Sequence, residues 1–354
     1  MTSAPLPLAP RPHSGEAVSS WISRIGARYD IVADALVEHV LDRPSCAVGA
    51  ASKLNYQAAP ELEAALAKAA RIAPAAISML RIAGDDGSNS CWHRPGFAWC
   101  PTCIRADLAE YGELHERAIW RLGFCVVCPE HNVPLEDTCC RCSFEDRCHF
   151  YCADGLLGLA CNTCGRPEGR APRRTHEWWE DASTGAFGTC ITPSLNRLIG
   201  TLQRDLQAAI AGARPNRSWG FLRSAKGLVM AVRHVTFCLI LATRMRFEPR
   251  IILPEVRPGE TFVPAPEPIT LAALSTRAAY GVLAISAAVL RSLEGREERH
   301  HWKPEGGKAA LNTESFLAWL PADTRRQLKS WSTGWERPAR DALQAAIAAV
   351  EAVR

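Results

Sequence analysis

The sequence lacks an unbroken apolar run of the length that a bilayer requires. A membrane-spanning helix needs about 20 consecutive apolar residues, and the longest candidate, LVMAVRHVTFCLILATRMR, is interrupted by Arg233 and His234. The first twelve residues contain four prolines and no apolar core, so they do not resemble a secretion signal. We therefore expect a cytoplasmic protein with buried core helices, in a compartment where disulfides are rare.

The sequence also has little net charge, +4 over 354 residues, so the total indicates no class of partner. The distribution is uneven, because residues 194–257 hold eleven basic and three acidic side chains. Such a surplus is typical of a nucleic-acid-binding surface, although an Arg-rich solvated helical surface is the alternative. The candidate phosphate-binding residues are Arg197, Arg204, Arg214, Arg217, Arg223, Lys226 and Arg233.

Cysteine is abundant, and twelve of the fifteen cysteines lie between residues 91 and 164. Clustered cysteines in an intracellular chain indicate metal sites rather than a disulfide framework. The three that lie outside the cluster, Cys46, Cys190 and Cys238, are expected to be small buried apolar residues.

The spacing of these cysteines predicts two structural zinc sites. Two residues between ligands let a tight turn direct both donors at one ion, and a second such pair completes a tetrahedron. The first predicted set is Cys100, Cys103, Cys128 and His131, and the second is Cys139, Cys142, Cys161 and Cys164. Thiolate and imidazole donors favour zinc over magnesium or calcium, and an iron–sulfur cluster remains an alternative for the all-cysteine set.

Other residues in the region could also reach a metal ion. Cys125 and Cys128 form a further pair with two intervening residues, and Cys148 and Cys152 form another half-site. The remaining candidates are Cys91, His93 and Cys140. We expect all of these to be spare or packing residues.

No catalytic residue is predicted. A catalytic zinc keeps one position open for water, whereas each predicted set supplies four ligands. Glu130 could serve as a base beside His131, but we expect it to face solvent. The sequence has no phosphate-binding loop of the Walker type, and we therefore expect a protein that is not an enzyme.

The pattern of apolar residues predicts a mainly α-helical protein with three regions. Residues 1–90 are expected to be helical, with Val18, Trp21, Ile22 and Ile25 on one face and helices beginning at Pro60 and Pro74. Those last two helices resemble a helix-turn-helix, or a pair that only packs. Residues 91–170 would form tandem small zinc-finger modules, and 171–354 a helical domain.

A further amphipathic helix is predicted between the two halves of the first metal set. The apolar positions that recur at helical spacing are Leu108, Tyr111, Leu114, Ala118 and Leu122. A zinc module of this size has little core of its own, so we expect this stripe to pack onto the module or onto a neighbouring helix.

Several segments together resemble the TniQ family. PLAPRPHSGEAVSSWISRIG resembles the opening of TniQ proteins, and FAWCPTCI, IWRL, CPEHNVPL, CCRC and CNTCG resemble their tandem zinc fingers in the same order. The resemblance covers roughly residues 5–165. It implies that Cys100, Cys103, Cys128 and His131 bind one Zn²⁺, that the second set binds another, and that an N-terminal helix-turn-helix precedes them.

The resemblance also implies a function in bacterial transposition. TniQ proteins and the related TnsD target selectors are accessory proteins of transposons, which are mobile DNA elements, and they select target sites. They bind DNA, or link an RNA-guided complex to the AAA+ regulator that acts with the transposase. A cytoplasmic, nucleoid-associated protein is expected on this basis, and a homodimer is compatible with it.

Two other functions stay open at this point. One is a stand-alone zinc-containing transcriptional regulator that binds DNA without transposition partners. The other is a zinc enzyme that acts on nucleic acid, for which Glu130 would be the candidate base.

Overall fold

The structure is a computed structural model, and twelve α-helices lie in the part that it describes. The described residues are 5–42, 50–82, 92–94, 96–137, 148–161, 163, 193–216, 219–245, 270–295, 301–302, 309–310 and 312–353. The helices are α1 (Val18–Ala27), α2 (Ala33–Leu41), α3 (Ala50–Lys53), α4 (Pro60–Ala70), α5 (Pro74–Ser78), α6 (Pro101–Tyr111), α7 (Pro193–Ile210), α8 (Ala225–Met245), α9 (Thr276–Ser292), α10 (Thr313–Trp319), α11 (Ala322–Trp331) and α12 (Arg337–Ala352). The predicted mainly α-helical fold is confirmed.

Strands and 3-10 helices make a small contribution. The strands form two antiparallel pairs, β1 (Cys148–Ala153) with β2 (Leu156–Cys161) and β3 (His301–Trp302) with β4 (Ala309–Ala310). Short 3-10 helices cover Ala118–Arg121, Leu271–Ala273 and Ser332–Gly334.

The chain divides into two compact units. The first contains Met1–Leu122 and Leu135–Arg173, and the second contains Gly123–Pro134 and Arg174–Arg354. A short segment from the middle of the chain therefore belongs with the C-terminal half. The domain limits predicted at residues 90 and 170 stay predictions.

The core of the first unit is built around α1. The four residues predicted to share one face, Val18, Trp21, Ile22 and Ile25, are all fully buried. The indole N–H of Trp21 donates to the Pro10 carbonyl at 2.8 Å, which fixes the proline-rich segment against the helix. Four buried apolar side chains within eight residues give this helix its place in the core, since each contributes about 1.5–3 kcal/mol when it is removed from water.

Buried charges also hold this unit together. Arg24 pairs with Glu16 at 2.8 Å and with Glu113 at 3.1 Å, and all three side chains are at most 5% exposed. Burial raises the pKa of Glu16 to about 7, although Arg24 acts in the opposite direction. Burial and the charge of Arg117 lower the pKa of His115 to about 3, so this ring is neutral in the core. The unit thus depends on charge pairing as well as on apolar packing.

The hairpin of β1 and β2 packs in the same unit. Its turn is Asp154-Gly155, with φ of 54° and 71°, which is the left-handed conformation that two-residue hairpin turns require. Arg28 of α1 donates to the Gly155 carbonyl, and the Leu114 N–H donates to Leu157 at 3.0 Å. These bonds fix the hairpin to the first helix and to the segment that follows α6.

Helices α4 and α5 begin at Pro60 and Pro74, as predicted, and one buried carboxylate joins them. Glu63 is 6% exposed; it accepts the Ala59 N–H at 3.1 Å and the Ser78 hydroxyl at 3.1 Å. It therefore both caps the start of α4 and holds α5. The helix-turn-helix stays a prediction, because packing of two helices does not show that either one enters a DNA groove.

Replacing Glu63 with alanine is expected to cost about 2 kcal/mol in unfolding free energy, because it removes two hydrogen bonds that contribute about 0.5–1.5 kcal/mol each. The measurement is denaturant unfolding followed by circular dichroism. Lys68→Ala, at an exposed position of α4, is the matched control and should change stability little. Equal stability of the two variants would contradict the role of Glu63 in joining α4 and α5.

The second unit is a helical assembly around α8, which packs against α7, α9 and α11. Residues Ala225–Ala242 of α8 are long and apolar enough, by length and composition, to cross a membrane, and 56% of this window is buried inside the protein. A core helix of this length passes the same test. Cys238 is fully buried in it, and burial raises its pKa to about 12. Cys238 thus has the packing role predicted for it.

The predicted helix between the two halves of the first metal set is wrong in its extent. Helix α6 ends at Tyr111, and Gly112 takes a left-handed conformation with φ of 70°. The chain then continues without helical structure to the 3-10 helix at 118–121. Tyr111 is 44% exposed, whereas Leu114 and Leu122 are buried. The five apolar positions therefore do not form one helical face.

Candidate metal centre

Four residues of the first predicted set lie together. The donor atoms of Cys100, Cys103, Cys128 and His131 are all within 4.8 Å of one another. The three cysteines are buried and His131 is half-buried. The pairing that spacing predicts is thus present in three dimensions.

The two ligand pairs have different local structures. Cys100 is the N-cap of α6, Pro101 occupies the first helical position, and Cys103 follows in the first turn. A pair of 2.8 Å backbone hydrogen bonds between Trp99 and Glu136 fixes the approach to Cys100. Helix geometry therefore aims both sulfur atoms to one side.

The second ligand pair lies on a tight turn. The Asn132 N–H donates to the Cys128 carbonyl at 2.9 Å, and the Cys128 N–H donates to Val133 at 2.7 Å. Asn132 has φ of 53°, a left-handed conformation that asparagine tolerates. This turn brings the His131 ring back beside the Cys128 sulfur.

One of the donor–donor distances matches that expected around a tetrahedral zinc ion. Zinc–sulfur and zinc–nitrogen bonds of about 2.3 and 2.0–2.1 Å place the donors of adjacent ligands about 3.6–3.8 Å apart. The Cys128 Sγ and His131 Nδ1 atoms are separated by 3.6 Å, which identifies Nδ1 as the nitrogen that faces the site. Three thiolates and one imidazole are a donor set typical of structural zinc.

Neighbouring candidates lie outside this cluster. Cys125 is buried, and its thiol contacts the Val127 carbonyl at 3.9 Å, but it is not in the group of four. His93 stacks on Tyr56, with ring centroids 3.6 Å apart. Glu130 is exposed, as predicted.

The second predicted set is only partly within the described residues. Cys161 ends β2, and its sulfur accepts the Thr163 N–H at 3.3 Å. Cys139, Cys142 and Cys164, like Cys91 and Cys140, lie outside the described residues. The backbones of Cys148 and Cys152 belong to β1, where Cys148 lies opposite Cys161. The second zinc site stays a prediction.

The predicted nucleic-acid-binding residues belong to the second unit, and those within the described residues are exposed. Arg197 and Arg204 are seven positions apart on α7 and therefore share one face. The loop after α7 carries Arg214, and Arg223, Lys226 and Arg233 lie just before or within α8. Arg217 lies outside the described residues. The same is true of two of the cysteines predicted to be buried, Cys46 and Cys190.

The acidic residue of α7 does not oppose this charge at the surface. Asp205 is 1% exposed and accepts the Asn216 N–H at 2.9 Å and the Trp219 indole N–H at 2.8 Å. Its carboxylate thus orders the loop that carries Arg214. The outward face of α7 keeps its arginines without a neighbouring carboxylate on the same helix.

Sequence reasoning missed two residues near the metal cluster. Gln203 and Asn196, both buried on α7, hydrogen-bond to the main chain of the segment that carries Cys128 and His131. Polar residues on an amphipathic helix are usually solvent-facing, so the pattern gave no indication of this contact.

The fold and the cluster define a mainly helical protein with a buried site that could hold a metal ion. The TniQ family model matches residues 7–135, a range that includes all four residues of the cluster. The resemblance of this part of the chain to the TniQ family is thereby confirmed. Proteins of this family are generally non-catalytic accessory proteins. No curated protein matches the chain.

Proposed function

We propose that the protein is a non-catalytic adaptor that selects target sites for a bacterial transposon. The observation that carries the proposal is the TniQ match over residues 7–135, which coincides with a cluster of four zinc-type ligands. Four protein ligands fill a tetrahedral zinc ion and leave no position for a reacting water molecule. The metal centre would then fix the shape of a recognition module.

Two structural Zn²⁺ ions belong to this proposal. Cys100, Cys103, Cys128 and His131 hold the first, and their mutual distances support it. Cys139, Cys142, Cys161 and Cys164 hold the second, for which the Thr163 N–H bond to the Cys161 sulfur is the structural support. Elemental analysis of natively purified protein should find two zinc ions per chain, and absence of zinc would contradict both sites.

The second unit provides the DNA contact in this proposal. The exposed basic residues of α7, of the following loop and of α8 would bind phosphate groups, which carry no sequence information by themselves. The two exposed arginines of α7 support this role, because the carboxylate of Asp205 on the same helix is buried and bonded to Trp219. Arg217 is included on sequence grounds alone.

Reversing the charge of Arg197 and Arg204 together is expected to weaken DNA binding steeply. The slope of log affinity against log salt concentration should become shallower by about 0.9 for each phosphate that the variant no longer binds. Fluorescence anisotropy with a duplex at several salt concentrations measures this slope. The matched control reverses Arg326 and Lys329, two exposed residues of α11, which changes net charge equally.

The two double variants separate specific binding at α7 from net charge. α7 contacts the DNA backbone if the salt slope becomes shallower by about 2 in the α7 variant and stays unchanged in the α11 variant. An equal effect of both variants would mean that only the overall charge matters. Binding of the native chain that does not depend on salt would contradict direct DNA contact.

Protein partners complete the proposed role. The adaptor would link DNA, or an RNA-guided complex bound to it, to the AAA+ regulator and the transposase, in the bacterial cytoplasm and close to the nucleoid. Affinity capture with the transposition proteins, with and without nuclease treatment, tests this. Recovery of the AAA+ regulator after nuclease treatment would support a direct protein contact, and recovery of none of these proteins would contradict the adaptor role.

The alternative function is a stand-alone transcriptional regulator. The two short helices α4 and α5 favour it, because paired helices with a short connection are used to read DNA. This function predicts a defined footprint on DNA without transposition proteins, and a footprint that appears only with them would argue against it.

A further inference from the structure

Two buried side chains of α7 bracket the turn that carries Cys128 and His131. Gln203 bonds to the residues just before Cys128, and Asn196 bonds to the residue just after His131. The two side chains are seven positions apart, so both project from the same face of α7. One rigid helix thus holds both ends of the turn.

Gln203 makes a three-bond contact with the main chain. Its Oε1 accepts the N–H groups of Val126 and Val127, each at 2.9 Å, and its Nε2 donates to the Val127 carbonyl at 2.9 Å. The side chain is 2% exposed, and both valines are buried. Water therefore cannot replace these bonds, and the position of the residue next to Cys128 depends on them.

Asn196 fixes the other end of the turn. Its Nδ2 donates to the Asn132 carbonyl at 3.0 Å, while its Oδ1 accepts the Tyr280 hydroxyl at 2.7 Å. Because the Asn132 carbonyl can only accept, the amide nitrogen of Asn196 must face it, which leaves the amide oxygen for the Tyr280 hydroxyl. Helix α9 thereby supports Asn196, and Asn196 supports the residue next to His131.

The segment has a further contact at its start. A Cβ atom at Gly123 would lie 2.4 Å from the Ala272 Cα atom, so the main chains pass too close for any side chain at this position. Gly123, at the start of the segment, is therefore packed against the 3-10 helix at 271–273, while later residues of the segment bond to α7. The turn is built into the second unit and is not a free loop.

We propose that Gln203 and Asn196 are positioning residues for the metal centre, which hold Cys128 and His131 in the geometry that binds the ion. Some residues orient metal ligands without binding the metal themselves. Replacing such a residue typically weakens metal affinity by about 10- to 100-fold. The family match ends at residue 135, whereas both positioning residues follow residue 190. The C-terminal helices thus complete a site whose ligands all precede them in the chain.

The test measures the zinc affinity of the full chain by competition with a chromogenic chelator. The step of zinc release that is absent in the Cys128→Ser variant is assigned to this site. Gln203→Ala and Asn196→Ala should each weaken zinc binding in that step by about 10- to 100-fold. Gln207→Ala, at an exposed position one turn along α7, is the matched control and should leave the affinity unchanged.

Two further measurements keep the result interpretable. Tyr280→Phe removes only the hydroxyl that orients Asn196, so it should weaken zinc binding in the same step, near the lower end of that range, even if Gln203→Ala does not fold. Cobalt substitution should show the absorption bands of a tetrahedral thiolate site in every variant that binds metal. Zinc affinity within about twofold of native in both Asn196→Ala and Tyr280→Phe would overturn the proposal.

The inference rests on the metal centre of the proposed function, and the two can fail separately. If the native chain binds no zinc, the proposed centre is wrong. If the native chain binds zinc and the variants bind it equally well while melting at lower temperature, the centre stands and the two residues only stabilise packing.

Discussion

Replacing Cys128 with alanine should remove one zinc ion per chain and lower the midpoint of thermal unfolding by about 10 °C. Zinc binding to a structural site is worth about 10–16 kcal/mol, and much of it is folding free energy. At a free concentration of about 1,000 times its dissociation constant, a ligand that binds only the folded state stabilises it by about 4 kcal/mol. Loss of that amount shifts the midpoint by roughly 2–4 °C for each kcal/mol in a unit of this size. Elemental analysis and differential scanning fluorimetry give the two readouts.

Cys125 provides a matched control three residues away. It is as deeply buried as Cys128 but lies outside the group of four donors. Cys125→Ala should therefore retain the zinc ion and change the midpoint by a few degrees. Zinc loss in Cys125→Ala and retention in Cys128→Ala would reverse the ligand assignment and restore the alternative pair that the sequence leaves open.

Replacing Arg24 with methionine should destabilise the first unit by about 3–5 kcal/mol, because removal of one partner leaves uncompensated buried charge. Glu16 and Glu113 would both be left without this guanidinium. Urea unfolding, followed by the fluorescence of buried tryptophans such as Trp21, measures the destabilisation. Methionine keeps much of the volume, so the effect reports charge rather than a cavity.

The destabilisation should also depend on pH. Burial raises the pKa of Glu16 above its unfolded value, to about 7 in the native chain. A carboxyl group of this kind stabilises the folded state fully below its unfolded pKa, and this contribution is lost as the pH rises through the folded pKa. Without Arg24 to stabilise the carboxylate, the deficit of the variant should be larger at pH 8 than at pH 5.

Arg28→Met is the control for this prediction. Arg28 also pairs with Glu113, at 2.8 Å, but its side chain is 24% exposed. Its replacement should therefore cost about 1 kcal/mol, since partly exposed pairs contribute little. Equal destabilisation of the two variants would mean that burial of Arg24 is not what makes its pairing important.

The sequence predicted best where a single local rule decides the structure. Trp21 and its apolar neighbours recur at helical spacing, and Pro60 and Pro74 favour the first turn of a helix, so these elements could be placed. The ligand spacing likewise predicted the cluster of Cys100 with His131. In each case the partners lie within the reach of a pattern in the sequence.

The sequence failed where a long-range interaction overrides a local pattern. Apolar residues continue at helical spacing past Tyr111, but Gly112 ends the helix and the next residues bond elsewhere. Glu113 pairs with Arg24, and Leu114 bonds to β2. The role of Gln203 was equally hidden, because its partners lie about 77 residues earlier in the chain.

The three bonds of Gln203 have a practical consequence for dissecting the protein. A fragment cut where the family match ends, at residue 135, would retain all four cluster ligands but would not include Gln203 and Asn196. The N–H groups of Val126 and Val127 would then lack the Gln203 side-chain oxygen that accepts their hydrogen bonds. The end of the family match is therefore not the end of the segment that folds together with the cluster. Shortened versions of the chain should extend through α9, whose Tyr280 hydroxyl bonds to Asn196.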